Sequence, residues 1–169
     1  MTAYIALLRA VNVGGTGALP MAELRALCAS AGFTDARTYI QSGNVCLTSS
    51  RTEREVKRAL EAALAAKMGA EVGVLVRTAE ELSAALAANP FAGERPSLTY
   101  AVFYDEALPP DALAGVATPG GERLALGARE LYVTYPEGMG RSKLKIPRAK
   151  LGTARNMNTV AKLVELSGA

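Results

Sequence analysis

The sequence predicts an α+β fold made of two ferredoxin-like halves, in which split βαβ units with antiparallel or mixed sheets pack into one compact unit. Three observations predict it. Short apolar runs that end at turn residues alternate with segments of helical periodicity. The element order of the first half is partly repeated in the second. The chain has 169 residues, 50% of them hydrophobic and 21% charged, which is typical of one globular domain or two small ones.

The first half, residues 1–89, begins with a strand and a helix. The apolar run at residues 4–8 is bounded by turn residues and predicts a buried strand. Pro20 suits a first helical turn, and apolar residues then keep helical spacing up to Gly32, a left-handed stop signal. Residues 37–48 follow as a hairpin with a glycine at its turn.

Two capping boxes predict the next helices. Thr52 is followed three residues later by Glu55, and this spacing predicts the start of a second helix. A strand is expected at residues 72–76. Thr78 and Glu81 repeat the capping pattern and open a linking helix that ends near a proline.

The second half, residues 90–169, begins with a stretch that contains two prolines and a glycine. We expect a strand at residues 98–104, a short helix or turn after it, and a hairpin at residues 123–135. A basic loop, residues 136–153, leads to a final helix. The second half therefore has the order strand, helix, strand, strand, helix.

Missing residue types exclude several kinds of chemistry. The chain has no histidine, which excludes a histidine base, a histidine-ligated zinc and a Ser-His-Asp triad. Its two cysteines, Cys28 and Cys46, cannot form a four-thiolate site. We expect no metal and no cofactor. We expect both thiols to be reduced and buried, with a disulfide as the alternative. No apolar run is long enough for a membrane span and the first residues do not form a secretory signal, so we expect a cytoplasmic location.

The charge is unevenly distributed along the chain. Residues 1–137 carry 12 basic and 15 acidic residues, whereas residues 138–169 carry seven basic residues and the single acidic residue Glu165. A basic end on a mildly acidic body favours an anionic partner, such as a nucleic acid or a phosphorylated small molecule. The alternative is a solvated loop that keeps the protein in solution.

Two polar clusters in the first half are candidate binding residues. They lie after the first strand and at the turn of the first hairpin, where glycine backbone can approach an anion and amides can read a base. They comprise Arg9, Asn12, Gly14 and Gly15, and Gln41, Ser42 and Asn44. The alternative for both clusters is ordinary turn chemistry.

Two further clusters lie in the second half. Arginine and lysine side by side resemble a phosphate clamp, although a basic loop would have the same composition. Asn156 or Asn158 is the expected cap of the last helix, whereas Arg155 opposes the helix dipole and so indicates a nearby anion or buried carboxylate. The candidate residues are Arg141, Ser142 and Lys143, and Arg155, Asn156 and Asn158.

Five tyrosines on the expected strands offer another interpretation. They could stack bases on an open sheet, as in an RNA-binding sheet, but core packing is the expected role. They are Tyr39, Tyr100, Tyr104, Tyr132 and Tyr135.

The four clusters also carry a resemblance to a known family. The stretches at residues 6–15, 39–45, 141–144 and 153–160 closely resemble domain-of-unknown-function family 1697, a family of short bacterial proteins. The chain differs from the usual pattern of the family at Ala10 and Met157, where glycine and tryptophan are usual. The resemblance implies an α+β fold with two ferredoxin-like halves, and it implies no activity, cofactor or substrate.

Three functions follow from these residues. The leading hypothesis is a binding module for a phosphate-bearing ligand, with a phosphorylated small molecule or a single-stranded nucleic acid as partner and no membrane. The first alternative is an enzyme that acts on a small anionic substrate without histidine or metal. The second is a structural or regulatory protein whose polar motifs hold loops in place. The sequence leaves open whether the protein is an enzyme.

Overall fold

The computed structural model describes residues 1–9, 19–40 and 43–168. Their fold is mixed α+β, as predicted, with two four-stranded antiparallel sheets. The elements, in chain order, are β1 (Thr2–Leu8), α1 (Met21–Ser30), β2 (Thr34–Tyr39), β3 (Asn44–Ser49), α2 (Glu53–Met68), β4 (Val74–Thr78), α3 (Ala79–Ala87), β5 (Thr99–Phe103), β6 (Arg123–Leu126), β7 (Glu130–Thr134), β8 (Thr153–Asn156) and α4 (Met157–Ser167).

The chain divides into two compact units. The first comprises Met1–Leu82 and Leu163–Ala169, and the second comprises Ser83–Lys162. The division of the chain into halves at residues 1–89 and 90–169 stays a prediction.

The first unit is built around the central strand β1. Its sheet has the order β2-β3-β1-β4, and all neighbouring strands are antiparallel. Tyr4, Ala6 and Leu8 lie in one core with the buried faces of α1 and α2. Ile5 and Leu7 alternate with them and are buried as well. Burial of successive residues explains why this strand is an uninterrupted apolar run, as was expected for a buried strand.

The predicted capping chemistry of the first unit is present. The Thr52 amide donates to the Glu55 carboxylate at 2.8 Å, and the Glu55 amide donates to the Thr52 hydroxyl at 3.2 Å. Thr78 and Glu81 form the same reciprocal pair at 2.9 and 3.1 Å. Gly32 has a φ of 90°, which confirms the left-handed stop after α1.

The second unit has a sheet with one face covered by irregular segments. Its strand order is β6-β7-β5-β8. Between β5 and β6 the chain forms a series of turns, which was one of the two forms expected there. One core contains strand residues of this sheet together with apolar residues from the two irregular segments. From the strands come Val102, Tyr104, Leu131, Val133 and Tyr135, and from the segments come Leu108, Leu113, Leu144 and Ile146.

Strand β8 was not predicted. Its four residues, TARN, have no apolar alternation, so the sequence pattern resembles the polar start of a helix. The strand forms because it pairs with β5, with Ala101 opposite Arg155 and Val102 opposite Ala154. A long-range pairing of this kind is invisible to local periodicity.

Three of the five tyrosines and both cysteines are buried, as core packing predicts, whereas Tyr39 and Tyr100 are half-buried. Tyr104, Tyr132 and Tyr135 are at most 3% exposed. Cys28 and Cys46 are free and buried, and burial raises the pKa of each thiol to about 11. Thiols with such a pKa are poor nucleophiles at neutral pH. In the described ranges, no helix combines the length and the apolar character needed to cross a bilayer.

Replacing the capping threonine tests the start of α2. Thr52→Ala should lower the free energy of unfolding by about 1 kcal/mol, because the Glu55 amide loses its acceptor. Urea denaturation measures the change. Thr118→Ala, at an exposed threonine in a turn, is the control and should leave the midpoint in place. Equal midpoints for the two variants would contradict this account of the cap.

Candidate anion-binding site

Arg9 follows β1 and lines a cavity that also contains carboxylates. Its amide donates to the Gly73 carbonyl at 2.9 Å. The cavity has a volume of about 520 Å³, and Glu61 and Glu71 line it together with Arg9. The Glu61 carboxylate accepts a hydrogen bond from Lys57 at 3.0 Å. Two acidic neighbours weaken the case for Arg9 as a phosphate-binding residue. Asn12, Gly14 and Gly15, predicted with it, lie outside the described residues.

Asn44 holds the end of the β2–β3 hairpin. It is fully buried, and its side-chain amide donates to the Tyr39 carbonyl at 3.0 Å. The Leu8 amide donates to the Gly43 carbonyl at 2.9 Å, so the structure brings the end of β1 next to this hairpin. The residue before Arg9 is thus bonded to the residue before Asn44. Asn44 has a structural partner there. Gln41 and Ser42 lie outside the described residues.

Arg155 belongs to strand β8 and not to the helix after it. Its guanidinium donates to the Thr153 hydroxyl at 2.7 Å and to the Ala154 carbonyl at 3.0 Å. The residue is 7% exposed, and burial lowers its pKa to about 10, which leaves it charged at neutral pH. Arg155 directly precedes Asn156, and its guanidinium is bonded to oxygens of its own strand.

The start of α4 is capped by Asn156. Its side-chain oxygen accepts a hydrogen bond from the Thr159 amide at 2.9 Å. Of the two predicted caps, Asn156 is therefore the one that the structure confirms. Asn158 is exposed in the first turn of the helix.

Ser142 fastens the basic loop to the body of the second unit. Its hydroxyl donates to the Glu122 carboxylate at 2.7 Å and accepts from the Leu144 amide at 3.1 Å. The other carboxylate oxygen of Glu122 accepts from the Gly120 amide at 3.0 Å. The bond from Ser142 is the main reason why the pKa of Glu122 lies below its ordinary value. Ser142 was predicted to bind a ligand, and its partner in the structure is Glu122.

The exposed cations around Ser142 form a basic strip. Exposure alternates along residues 141–146, so that the cations at 141, 143 and 145 are exposed and the residues between them are half-buried. Within the described part of the chain, none of the strip residues has an ion pair or a side-chain hydrogen bond. The basic strip consists of Arg141, Lys143, Lys145, Arg148 and Lys150.

Three anchors hold the chain beneath the basic strip. Leu144 and Ile146 are half-buried in the core of the second sheet. The Tyr104 hydroxyl donates to the Pro147 carbonyl at 2.7 Å. Burial raises the pKa of Tyr104 to about 12, which keeps its donor proton in place at neutral pH. Together with Ser142, these anchors hold residues 142, 144, 146 and 147 in place.

The predicted site residues thus separate into two groups. Asn44, Ser142, Arg155 and Asn156 hold turns, loops or a helix end. Arg141 and Lys143 face solvent without a protein partner among the described residues. The first two predicted clusters lie in the first unit and the last two lie in the second.

The predicted site left out three members of the basic strip, Lys145, Arg148 and Lys150. A signal for Lys145 was present in the sequence, because cations and non-cations alternate from Arg141 to Ile146.

The hydrogen bond between Ser142 and Glu122 predicts a pH-dependent contribution to stability. The folded state lowers the pKa of Glu122, so its charged form stabilises the fold above the unfolded pKa of roughly 4.3. This contribution is lost as the pH falls through the folded pKa. Glu122→Gln should therefore be destabilising at about pH 7 and progressively less so below about pH 4.

Urea denaturation across that pH range measures the difference between wild type and Glu122→Gln. Glu106→Gln, an exposed carboxylate without a hydrogen bond in the described ranges, is the control and should match wild type at neutral pH. A destabilisation by Glu122→Gln that stays constant into acid would show that the carboxylate charge plays no part.

Comparisons with known proteins concern the fold and the family. No curated protein matches the chain. A solved structure, that of the conserved bacterial protein SP0830 from Streptococcus pneumoniae, is similar with a TM-score of 0.80 and 25% sequence identity, and the match covers 98% of each chain. The family model described as Protein of unknown function (DUF1697) matches residues 1–132, which end before the basic strip. The chain belongs to this family, as its sequence motifs predicted.

Proposed function

We propose that the protein is a binding module for a phosphate-bearing ligand and that the basic strip is its contact surface. One observation carries the proposal. Five exposed cations lie within ten residues, and none has a protein partner in the described ranges. No acidic residue interrupts the sequence between Glu137 and Glu165. Charges of one sign at this density attract a multivalent anion.

The anchoring of the strip supports binding over a merely solvated loop. Charged side chains keep a surface loop solvated, and this role does not require an ordered backbone. Here Ser142, Leu144 and Ile146 hold the backbone, and so does the bond from Tyr104 to Pro147. A surface that is ordered before binding loses little conformational entropy when the ligand arrives.

The residues expected to support an enzyme have other partners. Arg9 shares its cavity with Glu61 and Glu71, which would repel an anionic substrate. Arg155 is buried and donates within its own strand. Every buried side-chain nitrogen or oxygen among the described residues has a hydrogen-bond partner. These findings favour a surface over a pocket.

The proposal also includes ferredoxin-like halves and a cytoplasmic location. The first unit has the element order and the strand order β2-β3-β1-β4 that support a ferredoxin-like half. In the second unit the turns between β5 and β6 and the irregular segment between β7 and β8 replace both helices of that pattern. Free thiols at Cys28 and Cys46 support a reducing compartment such as the cytoplasm.

Removing strip charges should weaken anion binding. Arg141→Gln/Lys143→Gln/Lys145→Gln should bind inorganic polyphosphate at least about tenfold more weakly at about 50 mM salt. The slope of log affinity against log salt should become shallower by about 2, at roughly 0.7 per lost contact with a single-stranded polyanion. Isothermal titration across a salt series measures both quantities.

A control variant removes three other exposed charges. Arg54→Gln/Arg58→Gln/Arg95→Gln lowers the net charge equally and leaves the strip intact. It should retain most of the affinity. Equal losses in the two triple variants would mean that net charge, and not the strip, binds the anion.

The anchor at Tyr104 offers a test that leaves the charge unchanged. Tyr104→Phe removes the donor to the Pro147 carbonyl and so loosens the strip. Affinity for polyphosphate should fall about two- to fivefold through the added cost of ordering the chain, while the salt slope stays the same.

Tyr132→Phe is the matched control for Tyr104→Phe. The Tyr132 hydroxyl donates to the Ala85 carbonyl at 2.6 Å, away from the strip. Its removal should not alter affinity. A shallower salt slope in Tyr104→Phe would contradict an effect through chain order alone.

A further inference from the structure

We infer that the ligand of the basic strip is a single-stranded nucleic acid, an inference that rests on the proposed function and names its ligand. The first observation is the spacing of the first three cations, which come before the chain turns at the left-handed residue Arg148. Arg141, Lys143 and Lys145 point outward from every second residue, and Ser142 between the first two has extended backbone angles, φ −77° and ψ 141°. An extended chain advances about 6.5 Å over two residues.

This spacing separates a polymer from a small phosphate ligand. A single phosphate is bound by donors that converge on it, as at a helix start or in a backbone nest. Cations spread in a row cannot all reach one phosphate group. They match a ligand whose charges also repeat along an extended chain, with neighbouring phosphates a few ångströms apart.

The second observation is apolar and independent of charge. Among the described residues, four large hydrophobic side chains are well exposed, namely Met1, Ile40, Met139 and Leu151. Two of these flank the strip: Met139 is 45% exposed just before Arg141, and Leu151 is 60% exposed just after Lys150. Exposed apolar side chains can contact the faces of nucleobases, which are open in a single strand. A phosphate polymer without bases offers such side chains nothing to contact.

The shape of the strip favours a single strand over a duplex and a membrane. A duplex is read by a helix or a two-stranded ribbon in its major groove, and the strip is neither. In a single strand the bases are open to side-chain contact. Membrane binding would need a broad apolar face, but Leu144 and Ile146 face the protein core and leave only one exposed apolar residue at each end.

The experiment measures anisotropy of a fluorescein-labelled twelve-nucleotide oligouridylate with the full chain across a salt series. We expect binding with a log–log salt slope of about −3.5 if all five cations contact phosphates, at roughly −0.7 per contact. A duplex RNA of equal length and inorganic polyphosphate of equal charge should compete less well than unlabelled oligouridylate. The protein should not co-sediment with vesicles that contain phosphatidylserine at the same salt concentration.

Apolar variants test the base contacts. Met139→Ser/Leu151→Ser should weaken oligouridylate binding roughly three- to tenfold without changing the salt slope, since no charge is lost. Its affinity for polyphosphate should stay the same. Ile40→Ser, at an exposed apolar residue outside the strip, is the control and should not alter either affinity.

The outcomes separate this inference from the proposed function. Equal affinity for oligouridylate and polyphosphate, with no effect of the apolar double variant, would overturn the single-strand inference and leave a phosphate-binding module. Tighter binding of duplex RNA or of anionic vesicles would also overturn it. If no probe binds even at low salt, the proposed function fails as well.

Discussion

The basic strip depends on how one face of the second sheet is covered. Val102, Tyr104 and Val133 are buried on that face, and irregular segments of the chain pack over them. When alternate side chains of a covering segment point toward the sheet, the side chains between them point toward solvent. Burial of Leu144 and Ile146 therefore sets the direction of Lys143 and Lys145. The same alternation of side chains therefore packs Leu144 and Ile146 against the sheet and exposes Lys143 and Lys145 to solvent.

The same constraint explains why several polar motifs have structural roles. A buried polar group that lacks a partner destabilises the fold by roughly 1–3 kcal/mol, so a buried amide, hydroxyl or guanidinium must be bonded. Asn44 meets this condition through the Tyr39 carbonyl, and Arg155 meets it within its own strand. Polar residues at element ends are therefore weak evidence of a ligand until their burial is known.

Local chemistry was predictable from the sequence, and long-range pairing was not. The capping boxes at Thr52 and Thr78 need only two residues three positions apart, and both are present. Strand β8 exists through its pairing with β5, some fifty residues away, so its own residues gave no signal. The strip was predicted in part because charge can be read directly, whereas the inward anchors Ser142 and Tyr104 required the fold.

Arg155 and Arg141 differ in their burial and in their hydrogen-bond partners. Arg155 lies opposite Ala101 within the sheet, loses its hydration and is held by neighbouring oxygens. Arg141 lies at the exposed end of a short 3-10 turn, with no protein oxygen bound to it in the described ranges. The first guanidinium donates to Thr153 and Ala154, and the second keeps its planar fork available for a phosphate. Arg141 and Arg155 contribute equally to the net charge of residues 138–169. Only the exposed one adds to the attraction for a ligand, because a contact with phosphate requires a guanidinium that solvent can reach.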